Sequence, residues 1–173
     1  EQGERIQTMV HFRDFTEDEV YLFMVTRNGT VKRLPASALK KIRASGIRAL
    51  RLDEGDELIS VRETDGKQNI LIATHDGMAV CFDENDVRAM GRDAVGVRGI
   101  RLRDGDYVVG AARAAEGKCL LSITEKGYGK RTPVEEYRIT NRGGIGIKNY
   151  MVTEKTGPVV GVKVVDGSED LLL

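Results

Sequence analysis

Tryptophan is absent, proline occurs three times, cysteine twice and histidine twice, and no apolar run reaches the roughly 18 residues that a membrane-spanning helix needs. Each scarcity removes a class of protein. Cys81 and Cys119 stand alone, without a CxxC spacing or a neighbouring histidine. That argues against a disulfide scaffold or a zinc site and for a reduced, cytoplasmic protein, and the opening residues carry no secretory pattern. His11 and His75 have no second histidine at ligand spacing, so no metal site is expected. No GxSxG, P-loop or GxGxxG occurs. Gly127-Tyr128-Gly129-Lys130 lacks the rest of a phosphate loop and reads as a hairpin, and Asp104 and Asp106 lack the further alternate acids of a calcium loop. The chain therefore offers no catalytic constellation and no cofactor site. Four phenylalanines and five tyrosines lie mostly in apolar runs, which leaves no stacking platform for single-stranded nucleic acid. Net charge is zero, from 27 cations and 27 anions, so a globally basic character is excluded as well.

Glycine is plentiful, with 20 residues, and its placement is periodic. The segments Gly46-Ile47-Arg48, Gly96-Val97-Arg98 and Gly146-Ile147-Lys148 open with glycine, a β-branched residue and a cation, at a period of 50 residues. Asn28-Gly29, Asp76-Gly77 and Lys126-Gly127 recur in step, each after an apolar run: Val20 to Val25, Ile70 to Ala73, and Cys119 to Ile123. Such dipeptides between short apolar runs predict hairpins, with return strands from Thr30, Met78 and Tyr128. Acidic glycine turns at 53–56 and 103–106, and a further turn at 155–157, lead to last strands beginning at Leu58, Val108 and Val159. Four strands per repeat at this period predict an all-β, propeller-like array of blades. Blades are expected at 19–66, 67–117 and 118–167, with 1–18 as the last hairpin of a preceding blade and 168–173 as the first strand of a following one. Three blades make an incomplete ring with open edges.

Charge is sorted within the repeat. From Arg27 to Arg51 there are eight cations and no acid, whereas 52–57 holds four acids and no cation. Between Lys126 and Lys148 there are six cations. The middle repeat is weaker: Val80-Cys81 stands where the others carry Lys32-Arg33 and Lys130-Arg131. Cations still recur in phase at Lys40, Arg88 and Arg138, and at Arg48, Arg98 and Lys148. On equivalent parts of successive blades these would form a curved positive track. Such a track without aromatics suits duplex DNA held by its phosphates, although solvated surface charge would give the same pattern.

Asp53-Glu54-Gly55-Asp56-Glu57-Leu58-Ile59, the stretch from Gly77 through Val87-Arg88-Ala89-Met90-Gly91-Arg92 to Leu102, and Gly127-Tyr128-Gly129-Lys130-Arg131-Thr132-Pro133 resemble the C-terminal domain of the DNA gyrase A subunit. The resemblance runs through the whole chain. It implies a β-pinwheel, a propeller-like ring whose blades exchange strands, and a non-catalytic module that wraps double-stranded DNA around a basic outer rim to support ATP-dependent negative supercoiling. The implied partners are DNA and, in a heterotetramer, the gyrase B subunit together with the rest of the gyrase A subunit. The implied location is the bacterial cytoplasm, on the chromosome, with no membrane. ATP and magnesium belong to the whole enzyme. The phosphate-contacting candidates it implies are Lys32, Arg33, Lys40, Lys41, Arg43, Arg48, Arg88, Arg92, Arg98, Lys130, Arg131, Arg138, Arg142 and Lys148. The glutamine- and arginine-rich glycine box of the family is missing, and Asn141-Arg142-Gly143-Gly144-Ile145-Gly146 only echoes it. The equivalent domain of topoisomerase IV is one alternative, and a kelch-like protein-interaction propeller is another, though the double glycines and aromatics of kelch are not in register here.

Overall fold

The computed structural model describes residues 20–37, 52–91 and 95–166. Eleven strands fall in these stretches: β1 (Tyr21–Thr26), β2 (Thr30–Pro35), β3 (Leu58–Thr64), β4 (Asn69–Thr74), β5 (Met78–Asp83), β6 (Val97–Arg98), β7 (Val108–Arg113), β8 (Cys119–Thr124), β9 (Gly129–Pro133), β10 (Ile147–Lys148) and β11 (Val159–Val165). Short 3-10 turns at Glu84–Asp86, Ala114–Glu116 and Val134–Glu136 punctuate them. The expected all-β array is present. The sheets are β3-β1-β2-β6, β10-β5-β4-β7 and β11-β8-β9, and all their pairings are antiparallel.

Each predicted hairpin forms, but by a different turn from the one that Asn-Gly suggests. Among the described residues only glycines have positive φ, so Asn28 and Asp76 do not take the mirror-image turn. A threonine closes it instead. Thr26, Thr74 and Thr124 accept the amide of the following glycine on their carbonyls, at 3.0–3.1 Å. Their hydroxyls accept the amides of Thr30, Met78 and Tyr128, each at 3.1 Å. Strand register shifts beside the threonine in the first two sheets and at Val159/Gly161 in the third, where this turn passes into the ladder.

The two glycine-led segments among the described residues do not complete the sheets of their own repeats. Val97–Arg98 pairs with Thr30–Val31 of the first sheet, and Ile147–Lys148 pairs with Met78–Ala79 of the second. This is the strand exchange that the resemblance implies. The registering glycines make it possible sterically. A Cβ on Gly96 would lie 2.5 Å from Thr30 Cγ2 and 2.8 Å from the Val31 carbonyl, and one on Gly146, at φ +87°, would lie 2.2 Å from the Ala79 carbonyl. Only a bare backbone can be pressed so closely onto the receiving strand.

Because side chains alternate across a strand, the middle sheet feeds two cores. Ile70, Ile72, Val80 and Phe82 join Phe23, Val25, Val31, Val87, Ile100 and Val108 between the first and second sheets. Leu71, Ala73, Ala79 and Cys81 join Ala112, Leu120, Tyr137 and Val164 between the second and third. Burial on both faces explains why the second repeat reads as nearly unbroken apolar runs. β3 lies against β7, and β7 against β11. The sheets therefore converge on these strands and open outward to β6, β10 and β9.

Candidate nucleic-acid interface

The outer edge is where the sorted charge has to be tested. On β6, Arg98 stands opposite Thr30 and is exposed; on β10, Lys148 stands opposite Met78 and is exposed. Arg88 and Arg138 follow the 3-10 turns and are also exposed. The residue after each, Ala89 or Ile139, bridges to Arg33 of the first sheet or Cys81 of the second. These four cations occupy equivalent places on the outer edges of adjacent sheets. Arg101, absent from the sequence-derived set, is exposed on the same stretch as Arg98. Its signal was the in-phase Arg51, since both fall five residues after a registering glycine. Lys130 and Arg131 on β9 are exposed, with Lys130 Nζ donating to the Asn149 carbonyl at 3.2 Å. Lys40, Lys41, Arg43, Arg48 and Arg92 lie outside the described residues.

Arg33 departs from the expected role. It is 6% exposed, and its guanidinium donates from Nε to the Val87 carbonyl at 2.8 Å and from Nη1 to Glu84 Oε1 at 3.3 Å. It also lies 4.5 Å from the centre of the Tyr21 ring. Glu84 is fully buried and accepts further bonds from the Thr64 hydroxyl and the Gln68 amide, at 2.7 and 2.8 Å. Arg33 is therefore a tie between the first and second sheets. Lys32 is buried too. By alternation positions 32 and 33 lie on opposite faces of β2, Arg33 on the face toward the second sheet, just as Val80 and Cys81 lie on opposite faces of β5 and feed its two cores. The apparent loss of cations in the middle hairpin is a change of core residue.

Arg142 is likewise engaged internally, donating from Nε to the Asp86 carbonyl and from Nη1 to the Arg98 carbonyl, each at 3.0 Å. With Arg33 and Arg88 it lines a crevice of about 270 Å³ beneath the segment that crosses β2.

The acids have structural positions. Asp56 Oδ1 accepts the amides of Asn28 and Glu57, and Asp106 Oδ1 those of Asp76 and Tyr107, at 2.8–2.9 Å. Each latches the last turn of a repeat to the tip of its hairpin. His75, read as solitary in the sequence, has Asp76 and Asp106 beside it, with candidate ligand atoms within 4.8 Å of one another. Its ring stacks on Tyr107 at 4.4 Å, and Asp106 Oδ1 already serves two amides.

A family model described as the DNA gyrase C-terminal domain, beta-propeller, matches residues 21–65, 68–115 and 120–166. The chain is 52% identical over 171 residues to the DNA gyrase A subunit of Clostridium acetobutylicum, covering 99% of this chain and 20% of that protein. It is 45% identical over 175 residues to the DNA gyrase A subunit of Staphylococcus epidermidis, covering 100% of this chain and 20% of that protein. The chain thus spans about a fifth of the length of these relatives. Among solved structures, the C-terminal domain of DNA topoisomerase IV superposes with a TM-score of 0.80 at 29% identity, covering 88% of this chain and 48% of that one. A DNA gyrase A C-terminal domain superposes with 0.75, also at 29% identity, covering 88% and 51%.

Proposed function

Because the chain belongs to the family of DNA gyrase C-terminal β-propeller domains, we propose that it is a non-catalytic module that binds duplex DNA along the outer edges of its sheets and bends it there. The observation that carries this reading is the recurrence of exposed cations at equivalent outer-edge positions, Arg88 with Arg98 and Arg138 with Lys148. Smooth bending of a 20–30 base-pair site costs on the order of 1–6 kcal/mol, which several phosphate contacts from a preformed edge must offset. In the whole enzyme the bent segment would be presented for strand passage with the sign that yields negative supercoils. ATP hydrolysis, magnesium binding and DNA cleavage would fall, in the bacterial cytoplasm, to the gyrase B subunit together with the rest of the gyrase A subunit. Likeness of fold does not separate gyrase from topoisomerase IV, since both solved domains are 29% identical. Identities of 52% and 45% to gyrase A subunits favour gyrase.

The test is duplex affinity against salt. The log–log slope should be linear and steep, at about 0.9 per phosphate neutralised. Reversing the charge at Arg98 and Lys148 together should weaken binding to all sequences alike and flatten the slope. Religation of nicked circles on the chain should shift linking number. Salt-independent binding, or a loss confined to certain sequences, would refute the reading.

A further inference from the structure

We propose that Arg142 is a positioning residue that clasps the outer edges of two successive sheets, setting the spacing of their DNA-facing cations without itself neutralising a phosphate. The inference rests on the duplex-binding reading above. Three observations carry it. The Arg142 guanidinium spans two separate carbonyls, those of Asp86 and Arg98. The loop that bears it is also tied by main chain: the Gly143 amide donates to the Gly99 carbonyl at 2.7 Å, and the Arg101 amide donates to the Gly144 carbonyl at 2.8 Å. The stretch so gripped, 98–101, displays exposed Arg98 and Arg101 on the edge of the first sheet, while the gripping loop runs directly into exposed Lys148 on the edge of the second.

A planar guanidinium offers several donors in a fixed fork, so it holds two carbonyls in a set geometry, whereas an ammonium carries three rotatable donors on a flexible stem and does not fix their spacing. Gly143 fits this loop because its φ is +85°, a conformation that side chains disfavour. Without the clasp each cation would remain, but the first edge could shift relative to the second. A bent duplex needs phosphates met in register on both edges. Affinity for a few base pairs would survive such a shift, and bending would not.

Arg142→Lys keeps the charge and removes the fork, and Arg142→Gln removes both. In the full chain without DNA, amide exchange at Gly143 and Arg101 should speed several-fold in both variants relative to wild type. With duplex, both should retain the wild-type salt slope while the bend measured by gel phasing and the linking-number shift fall together. Unchanged exchange in both variants would overturn the clasp. Full bending by Arg142→Lys, or a slope lowered by about 0.9 in Arg142→Gln, would instead make Arg142 a direct phosphate ligand. If the wild-type chain leaves duplex unbound at low salt, the functional reading fails; the exchange experiment still decides the clasp by itself.

Discussion

The junction between the first and second sheets carries a buried ion pair, and at the matching positions of the junction between the second and third the described residues are apolar, although both are built from the same repeat. At the first, buried Arg33 meets buried Glu84, and across the inner strands Arg62 meets Glu116 at 3.0 Å. At the second, the positions of Arg33, Glu84 and Arg62 are taken by Cys81, Val134 and Ala112, all in or against one apolar cluster. That junction has its own polar group elsewhere: the Tyr137 hydroxyl donates to Asn149 Oδ1, whose amide donates to Ser122 Oγ at 2.9 Å. The corresponding places in the first junction hold Val87, Gly99 and Ile72. One repeat can thus be closed by an ion pair or by neutral hydrogen bonds. The cation at position 33 is a core residue because the second sheet brings Glu84 to it.

The largest effect should come from breaking the ion pair on one side. Arg33→Met leaves Glu84 buried and charged, and loss of one partner of such a pair costs about 3–5 kcal/mol. The paired replacement Arg33→Cys with Glu84→Val copies the second junction into the first and should recover most of that loss. Urea unfolding midpoints of the three proteins decide it. If the single variant is as stable as the pair, the ionic account of the first junction is wrong.

Removing the neutral tie should cost less. Tyr137→Phe strips the donor from Asn149, which is 4% exposed, and an orphaned buried acceptor costs about 1–3 kcal/mol. Amides of β8 should exchange faster in this variant and those of β1 should not, because the two junctions are separate cores. Equal acceleration in β1 would mean that the sheets unfold as one unit.

Smaller again is the acid response. Burial alone would push the Glu116 carboxyl up, but the Arg113 amide and the Arg62 guanidinium outweigh it and hold the group below the ordinary glutamate value of 4.5. A carboxyl with a depressed folded-state value stabilises fully above its unfolded value, and the contribution is lost as pH falls through the folded one. Below pH 4.5 the first junction should therefore weaken, and Glu116→Gln should remove this part of the pH dependence. An unaltered acid limb in that variant would rule the network out.

Much of this was legible in the chain. The hairpins, the 50-residue period and the three apolar runs follow from local spacing, because turn chemistry and alternation are properties of neighbouring residues. The destination of the glycine-led strands does not follow from spacing, since Arg98 pairs with Thr30 across a distance that no local pattern encodes. The resemblance supplied that exchange. Arg33 and Arg131 are the same residue at the same phase, yet one is buried on Glu84 and the other is exposed. The Arg33 face of β2 meets the second sheet, where Glu84 is the residue a solvated-charge reading overlooks, whereas no described sheet lies against the Arg131 face of β9. The threonines at 26, 74 and 124 stand in the same register, each two residues before its hairpin dipeptide.

The two cysteines give the mildest and most selective probe of the comparison. Cys81 sits in the second junction, where burial pushes its thiol up to about 11. At pH 8 only about a thousandth of it is thiolate, so a thiol reagent should reach it slowly and through opening of that junction. Cys119, half-buried at the start of β8, should label first. Tyr137→Phe loosens the wall around Cys81 and should raise its labelling rate several-fold, whereas Arg33→Met acts across the other face of the middle sheet and should leave the rate near wild type. If both substitutions accelerate Cys81 equally, the middle sheet transmits disturbance from one core to the other, and the two junctions cannot be treated as independent.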